Sequence, residues 1–141
     1  MVRPALLYGS ECWAIRKKEE RKVETTETRL LRRTAGVTLR DRKRNSAIRE
    51  QFGVTPINLK MRESRMRWWG HVMRREENHL CRRVGRKTVV GRRKVGRPKK
   101  TLLNTYRDDM KALDLNTEDI MDRKKWRMCC RIADPTAGNT A

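Results

Sequence analysis

Apolar residues recur along this chain at intervals of three and four, with no alternating run of useful length that would mark a half-buried strand. The clearest stripe covers residues 56–74. Ile57, Met61, Ser64, Trp68 and Val72 line one face, and Leu59, Met66, Trp69 and Met73 widen it. Thr55 followed by Pro56 predicts the start of this helix, a capping hydroxyl and then proline in the first turn. Gly70, inside the stripe, costs about 1 kcal/mol relative to alanine and suits a place where another backbone comes close. Residues 16–35 carry a second stripe, Val23, Thr26, Leu30, Leu31 and Thr34, closed by Gly36 in a left-handed turn. A basic loop over residues 40–44 leads to a short helix at 46–52, with Asn45 as its cap and Gly53 as its end. Leu102, Leu103, Tyr106, Met110 and Leu113 mark a fourth helix. Thr117 is placed to cap a fifth, with Glu118 and Asp119 in its positive first turn. Ile120, Met121, Lys124, Met128 and Ile132 continue along one face, Trp126 beside them, until Asp134-Pro135. Ahead of all these, residues 2–13 form an apolar stretch that needs another element to pack on; Gly9 breaks it and Ser10 can cap the next turn.

The pattern predicts an all-α protein of about five helices, marginally packed, with a core drawn from Leu30, Ile57, Met61, Trp68, Val72, Leu103, Tyr106 and Met110. It divides the chain into a helical region (1–75), a basic extended linker (76–101), a C-terminal helical pair (102–134) and a disordered tail (135–141).

Charge sharpens this picture. The 141 residues include 37 Lys and Arg against 17 Asp and Glu, a formal net charge of +20, and only 36% are hydrophobic. Such a chain has a thin core, repels itself, and favours a polyanionic partner, RNA or DNA. No apolar run approaches the ~20 residues of a spanning helix, and no secretory signal opens the chain. The expectation is a nuclear or cytoplasmic protein, not membrane-bound and not secreted. Cys12, Cys81, Cys129 and Cys130 form no CxxC pair, so reduced thiols are expected.

Between Leu80 and Arg107 there is no acidic residue and 11 are basic. Arg82, Arg83, Arg86, Lys87, Arg92, Arg93, Lys94, Arg97, Lys99 and Lys100 are therefore the candidate phosphate contacts. Within them, the segment from Arg92 to Lys100 resembles an AT-hook, in which an extended Gly-Arg-Pro core, here Gly96-Arg97-Pro98, lets its arginine enter the minor groove of A·T-rich DNA while flanking cations hold phosphates. Val95 departs from that motif. Trp69, beside Trp68 on a basic helix, is the candidate for stacking on unpaired bases.

Two motifs point elsewhere and are set aside. Tyr106-Arg107-Asp108-Asp109 spells the Y-x-D-D metal signature of reverse transcriptases, but it lies in a helical pattern that turns Asp108 and Asp109 outward, with no flanking strands. His71, His79 and Cys81 are too few and too irregularly spaced for zinc. No catalytic triad, phosphate loop or nucleophilic cysteine arrangement is present. Catalytic residues, metal and cofactor are all expected to be none.

Several pieces occur in an order that carries a resemblance: RPALLYGSECW at 3–13, TETRLLR at 26–32, IREQFGV at 48–54, RMRWWGHVMRR at 65–75, GRPKK at 96–100 and DIMDRKKW at 119–126. Together they resemble the region just after the reverse transcriptase domain of non-LTR, LINE-type retrotransposon polyproteins, the endonuclease–reverse transcriptases of the RTE kind above all. The resemblance implies the thumb and the part beyond the palm, which helps hold template RNA, primer and target DNA. It also implies that the catalytic palm lies upstream, as a polymerase partner, and that residues 106–109 are ordinary helix. Cys12 stands where threonine is usual, and Arg33 and Leu102 stand where tryptophan is expected, which weakens helix packing. The function expected is a nucleic-acid-binding fragment without catalysis of its own. An AT-hook DNA-binding protein and a translated retroelement remnant are the alternatives.

Overall fold

The computed structural model describes residues 3–87, 91, 95–96 and 99–135. They form seven α-helices and no strand, so the all-α expectation holds with two more helices than the five expected. The helices are α1 (Arg3–Leu7), α2 (Lys17–Thr34), α3 (Asn45–Gln51), α4 (Ile57–Met73), α5 (Leu80–Arg86), α6 (Leu102–Ala112) and α7 (Arg123–Cys130). Single 3-10 turns stand at Ser10–Cys12 and Glu118–Ile120. The extra helices are α1, in the apolar stretch before Gly9, and α5, in the basic segment before Gly91. The expected tail, apart from Pro135, lies outside the described residues.

The longest apolar stripe becomes the hub. Helix α4 packs against α1, α2, α5, α6, α7 and the turn Ser10–Cys12. One side of it meets α6 and α7 in a cluster of Met66, Tyr106, Leu115, Ile120, Trp126 and Cys130. Its first turns meet the N-terminal segment in a smaller cluster, Ile15, Ile57 and Met61, covered by Leu6, Leu7 and Val23. Of the expected core, Ile57, Met61, Val72 and Tyr106 are buried. Leu30, Trp68 and Met110 are half-buried. Leu103 is 39% exposed, because Leu102, one residue earlier on α6, turns toward the cluster in its place.

Three expected caps do not form. The hydroxyl of Thr55 donates to the carbonyl of Ala133 at 3.0 Å, and the first free amide of α4, that of Ile57, donates instead to Glu27 of α2 at 3.3 Å. Asn45 starts α3 instead of preceding it and accepts from Arg32 at 2.9 Å. The single helix expected after Thr117 breaks at Met121, and Asp122 restarts it by accepting from the amides of Lys124 and Lys125 at 2.9 and 3.0 Å. That break resets the helical phase. Trp126 and Cys130 therefore turn inward, while Met121 and Met128, expected on the stripe, are 72% and 73% exposed. Gly36 does close α2, at a φ of 65°.

Buried charge supplies what the small apolar clusters lack. Arg65, at the middle of α4, is 1% exposed. Its guanidinium grips Asp109 of α6 through two donors, at 2.6 and 3.2 Å, and lies 3.7 Å from Glu20 of α2. Glu27 of α2 is also buried and accepts from Arg3 of α1 at 2.7 Å. Along α4, Lys60 and Glu63 hold the extended segment after α7, with Lys60 donating to the Ile132 carbonyl and Glu63 accepting from the Ile132 amide.

Gly70 is required by a ring and not by a backbone. The indole of Trp126 lies across α4 and donates to the carbonyl of Met66 at 2.9 Å. A Cβ on Gly70 would collide with Nε1 of that ring and come within 2.8 Å of its Cδ1. Gly70→Ala is therefore expected to destabilise the protein by about 1–3 kcal/mol, against the gain of about 1 kcal/mol that alanine normally brings to a helix. Urea unfolding with tryptophan fluorescence as the probe checks this; a raised midpoint would mean that Trp126 does not sit on Gly70.

Candidate nucleic-acid interface

The cations that could meet a polyanion are those left over once the acids have been used internally. In the segment singled out by sequence, α5 is capped by His79, whose ring nitrogen accepts from the Cys81 amide at 3.4 Å. Arg82 donates to the Arg75 carbonyl at 2.8 Å and lies 3.6 Å from Glu77; Arg86 reaches the same carboxylate at 2.7 Å. The hydrogen bond and charge of Arg86, then the charge of Arg82, hold the Glu77 carboxyl below its usual range. Arg83 and Lys87 are exposed and have no carboxylate at ion-pair distance among the described residues. Lys100 lies 3.0 Å from Asp108 of α6, and Lys99 is exposed. Arg92, Arg93, Lys94 and Arg97, with the centre of the hook-like motif, lie outside the described residues. The structure thus gathers Arg82 and Arg86 on one glutamate, ties Lys100 to α6, and leaves Arg83, Lys87 and Lys99 open.

The two tryptophans are not divided into a core ring and an exposed one, as the sequence suggested. Both are half-buried against the α4–α6–α7 cluster. Trp69 stacks on Tyr106 with centroids 4.6 Å apart, and its Nε1 is buried without an acceptor. Trp68 stacks on His71 at 5.7 Å. One face of Trp69 is thereby covered by Tyr106, whose own hydroxyl donates to the Glu11 carbonyl at 3.0 Å; burial pushes that phenol upward from its ordinary value.

Sequence reasoning missed a second basic surface. An open groove of about 760 Å³ runs between α2 and residues 37–45, with Arg21, Arg29, Arg32 and Arg33 on the helix side and Thr38 and Leu39 opposite. Asn45 and the exposed Arg40, Arg42, Lys43 and Arg44 lie along the loop. The signal was available. Residues 21, 29, 32 and 33 recur on one side of an α-helix, and Glu19, Glu20, Glu24 and Glu27 are engaged elsewhere, by Arg16, Arg65, Arg49 and Arg3. The acid-free run after Leu80 stands out in composition, whereas α2 sorts its acids and bases by face and looks balanced.

The Y-x-D-D tetrapeptide lies on α6, as expected, but its carboxylates do not both face outward. Asp108 is exposed. Asp109 is 5% exposed, with both oxygens held by Arg65 and Arg62 lying 3.3 Å away. Adjacent residues on a helix are separated by about 100°, and the turn that puts Tyr106 on the cluster also carries Asp109 inward. Among the described residues, no group of three or more His, Cys, Asp or Glu is placed to hold a metal ion. All four cysteines are free; burial pushes the Cys130 thiol up to about 11. No helix among the described residues is long and apolar enough to cross a membrane.

The chain is similar to an uncharacterised transposon-derived protein of Caenorhabditis elegans, with 30% identity over 146 residues that take in 89% of this chain and 50% of that protein. The two are distant homologues, and the chain spans about half the length of the curated relative it matches. No family model matches the chain, and no solved structure matches it.

The unlike surroundings of the two neighbouring aspartates can be measured. Asp109→Asn leaves Arg65 buried without its counter-charge and is expected to cost about 3–5 kcal/mol, a large share of the stability of a small domain. Asp108→Asn removes only an exposed pair and is expected to cost less than about 1 kcal/mol. The double change Arg65→Met, Asp109→Leu should recover most of the loss, because neither charge is then stranded. Thermal melts of the four proteins decide; equal effects at 108 and 109 would put both carboxylates in solvent.

Proposed function

We propose that this chain is a nucleic-acid-holding piece of a retrotransposon reverse transcriptase, from the thumb and the region beyond the palm, and that it acts by phosphate contacts without catalysis of its own. One observation carries the reading: among the described residues the carboxylates are largely engaged in internal links, while cations on α2, on the loop after it and at Arg83, Lys87 and Lys99 are left facing solvent. A net charge of +20 disposed in this way has no internal partner and suits a polyphosphate. The distant homology to a transposon-derived protein is consistent with a retroelement origin.

The mechanism is electrostatic. Arg83, Lys87 and Lys99, with the cations of residues 92–97, displace condensed counterions from the nucleic acid, and the release drives binding. Phosphate contacts hold register and orientation but read no sequence. Metal chemistry is left to the polymerase palm, because Asp109 serves as the counter-ion of Arg65 and Asp108 faces solvent, apart from it.

Affinity for RNA and DNA is expected to fall roughly a thousandfold between about 50 and about 200 mM salt if about six phosphates are neutralised. Anisotropy titrations across salt measure this, and a flat response rules the reading out. The same titrations with A·T-rich and G·C-rich duplexes separate it from an AT-hook, which would prefer A·T and lose that preference in Arg97→Ala. Primer extension with magnesium or manganese is expected to give no product; incorporation abolished by Asp108→Ala would overturn the non-catalytic assignment.

A further inference from the structure

The groove between α2 and residues 37–45 lies wholly within the described residues, and hydrogen bonds internal to the protein fix both of its sides. We infer that it is a preformed seat for the sugar–phosphate backbone of a double-stranded nucleic acid. The inference rests on the nucleic-acid reading above and adds to it a location and a strandedness.

The helix side supplies the charge. Arg21, Arg29 and Arg33 are exposed, with no carboxylate at ion-pair distance among the described residues. The acid that lines the groove, Glu24, is taken by Arg49 at 2.7 Å. The twelve-residue interval from Arg21 to Arg33 spans about 18 Å of helix at 1.5 Å per residue, long enough to face several successive phosphates of one strand.

The loop side is fixed by Arg32, whose donors are turned to the protein and not to a ligand. Its guanidinium donates to the Lys43 carbonyl at 2.6 Å, to Asn45 Oδ1 at 2.9 Å and to the Thr38 carbonyl at 3.4 Å. Asp41 closes the turn, accepting from the amide of Thr38 at 2.7 Å and from its hydroxyl at 2.9 Å. These donors hold its carboxyl below the ordinary range, so it stays ionised among Arg40, Arg42 and Lys43. Arg32 is thus a positioning residue for the wall that faces Arg29 and Arg33. A wall already ordered removes part of the cost of binding.

Strandedness comes from the lining of the groove. Its walls carry threonines, Val37 and Leu39, the last 82% exposed, and no aromatic ring. Sites for unpaired strands offer rings on which bases stack; this groove offers none. A duplex keeps its bases stacked on one another and presents sugar and phosphate, which aliphatic side chains and arginines fit.

The test uses the full chain, a short duplex of mixed sequence and an unstructured single strand of the same length, titrated across salt. The triple variant Arg21→Gln, Arg29→Gln, Arg33→Gln, all at exposed positions, is expected to weaken duplex binding about a hundredfold at low salt. It should also lower the salt slope by about 0.9 per lost contact, with a much smaller change for the single strand. Arg32→Lys keeps the charge but loses the planar fork. It is expected to weaken duplex binding severalfold and to raise hydrogen exchange in residues 38–45. Wild-type duplex affinity and slope in the triple variant would overturn the inference while leaving the broader reading intact, and equal losses for both ligands would overturn the strandedness. A wild-type chain that binds neither ligand would remove the broader reading itself.

Discussion

One guanidinium out of reach of water ties the three longest helices of this fold together. Arg65 sits at the middle of α4, spans to Asp109 on α6 with two hydrogen bonds, and faces Glu20 of α2. Such a pair is energetically replaceable by apolar residues, because desolvation offsets much of its Coulomb energy. Here its value lies in fixing the register among helices whose apolar contacts are few. Glu27 does the same for the N-terminal elements. It receives Arg3 of α1 and the first amide of α4, so that a carboxylate on one helix caps another.

The apolar part is small for a related reason. The larger cluster gathers on one ring, Trp126, and that ring needs a gap in α4. Gly70 provides it, and the Met66 carbonyl accepts the indole N–H. A helix hydrogen-bond acceptor is thereby shared with a side chain from 60 positions later in the sequence. Burying an indole this way satisfies its polar edge at the same time as its faces. Trp69 does less well, since its Nε1 is buried without an acceptor, and its stack on Tyr106 has to outweigh that cost.

The helices were legible in the sequence where a stripe of apolar residues met a clear stop. α2 and α4 fall within a residue or two of expectation for that reason, and Gly36 ends α2 as its position implies. Side-chain direction was legible only inside an unbroken helix. Past Met121 the phase resets, so a stripe extended through the break carried Met128, which is exposed, and missed Cys130, which is buried. Caps failed where a partner from far along the chain outcompeted the local one, as Ala133 and Glu27 do at the start of α4. Asp109 was misplaced because hydrophobic periodicity scores a carboxylate as outward-facing, while Arg65 makes an inward one stable. Of the candidate site, the basic segment after Leu80 was read from its lack of acids. The α2 groove could not be read that way, because α2 holds many acids and only their positions show that they are engaged.

That sorting of charge links stability to function. An acid placed on the groove side of α2 would pair with Arg21 or Arg29 at the surface, contribute at most about 1 kcal/mol, and cancel the field that draws a polyanion. Placed on the inner side, as Glu20 and Glu27 are, the same acid meets Arg65 or Arg3 and holds helices together, while Glu24, at the edge of the groove, is taken up by Arg49. The chain gains cohesion from the acids that meet these arginines, and the excess of 37 bases over 17 acids leaves a positive field outside. The self-repulsion this leaves opposes compaction, and neutralisation by a bound polyanion relieves it. On the proposed reading, binding and folding are coupled through the same charges, and a nucleic acid held in the groove would also stabilise the helices that form it.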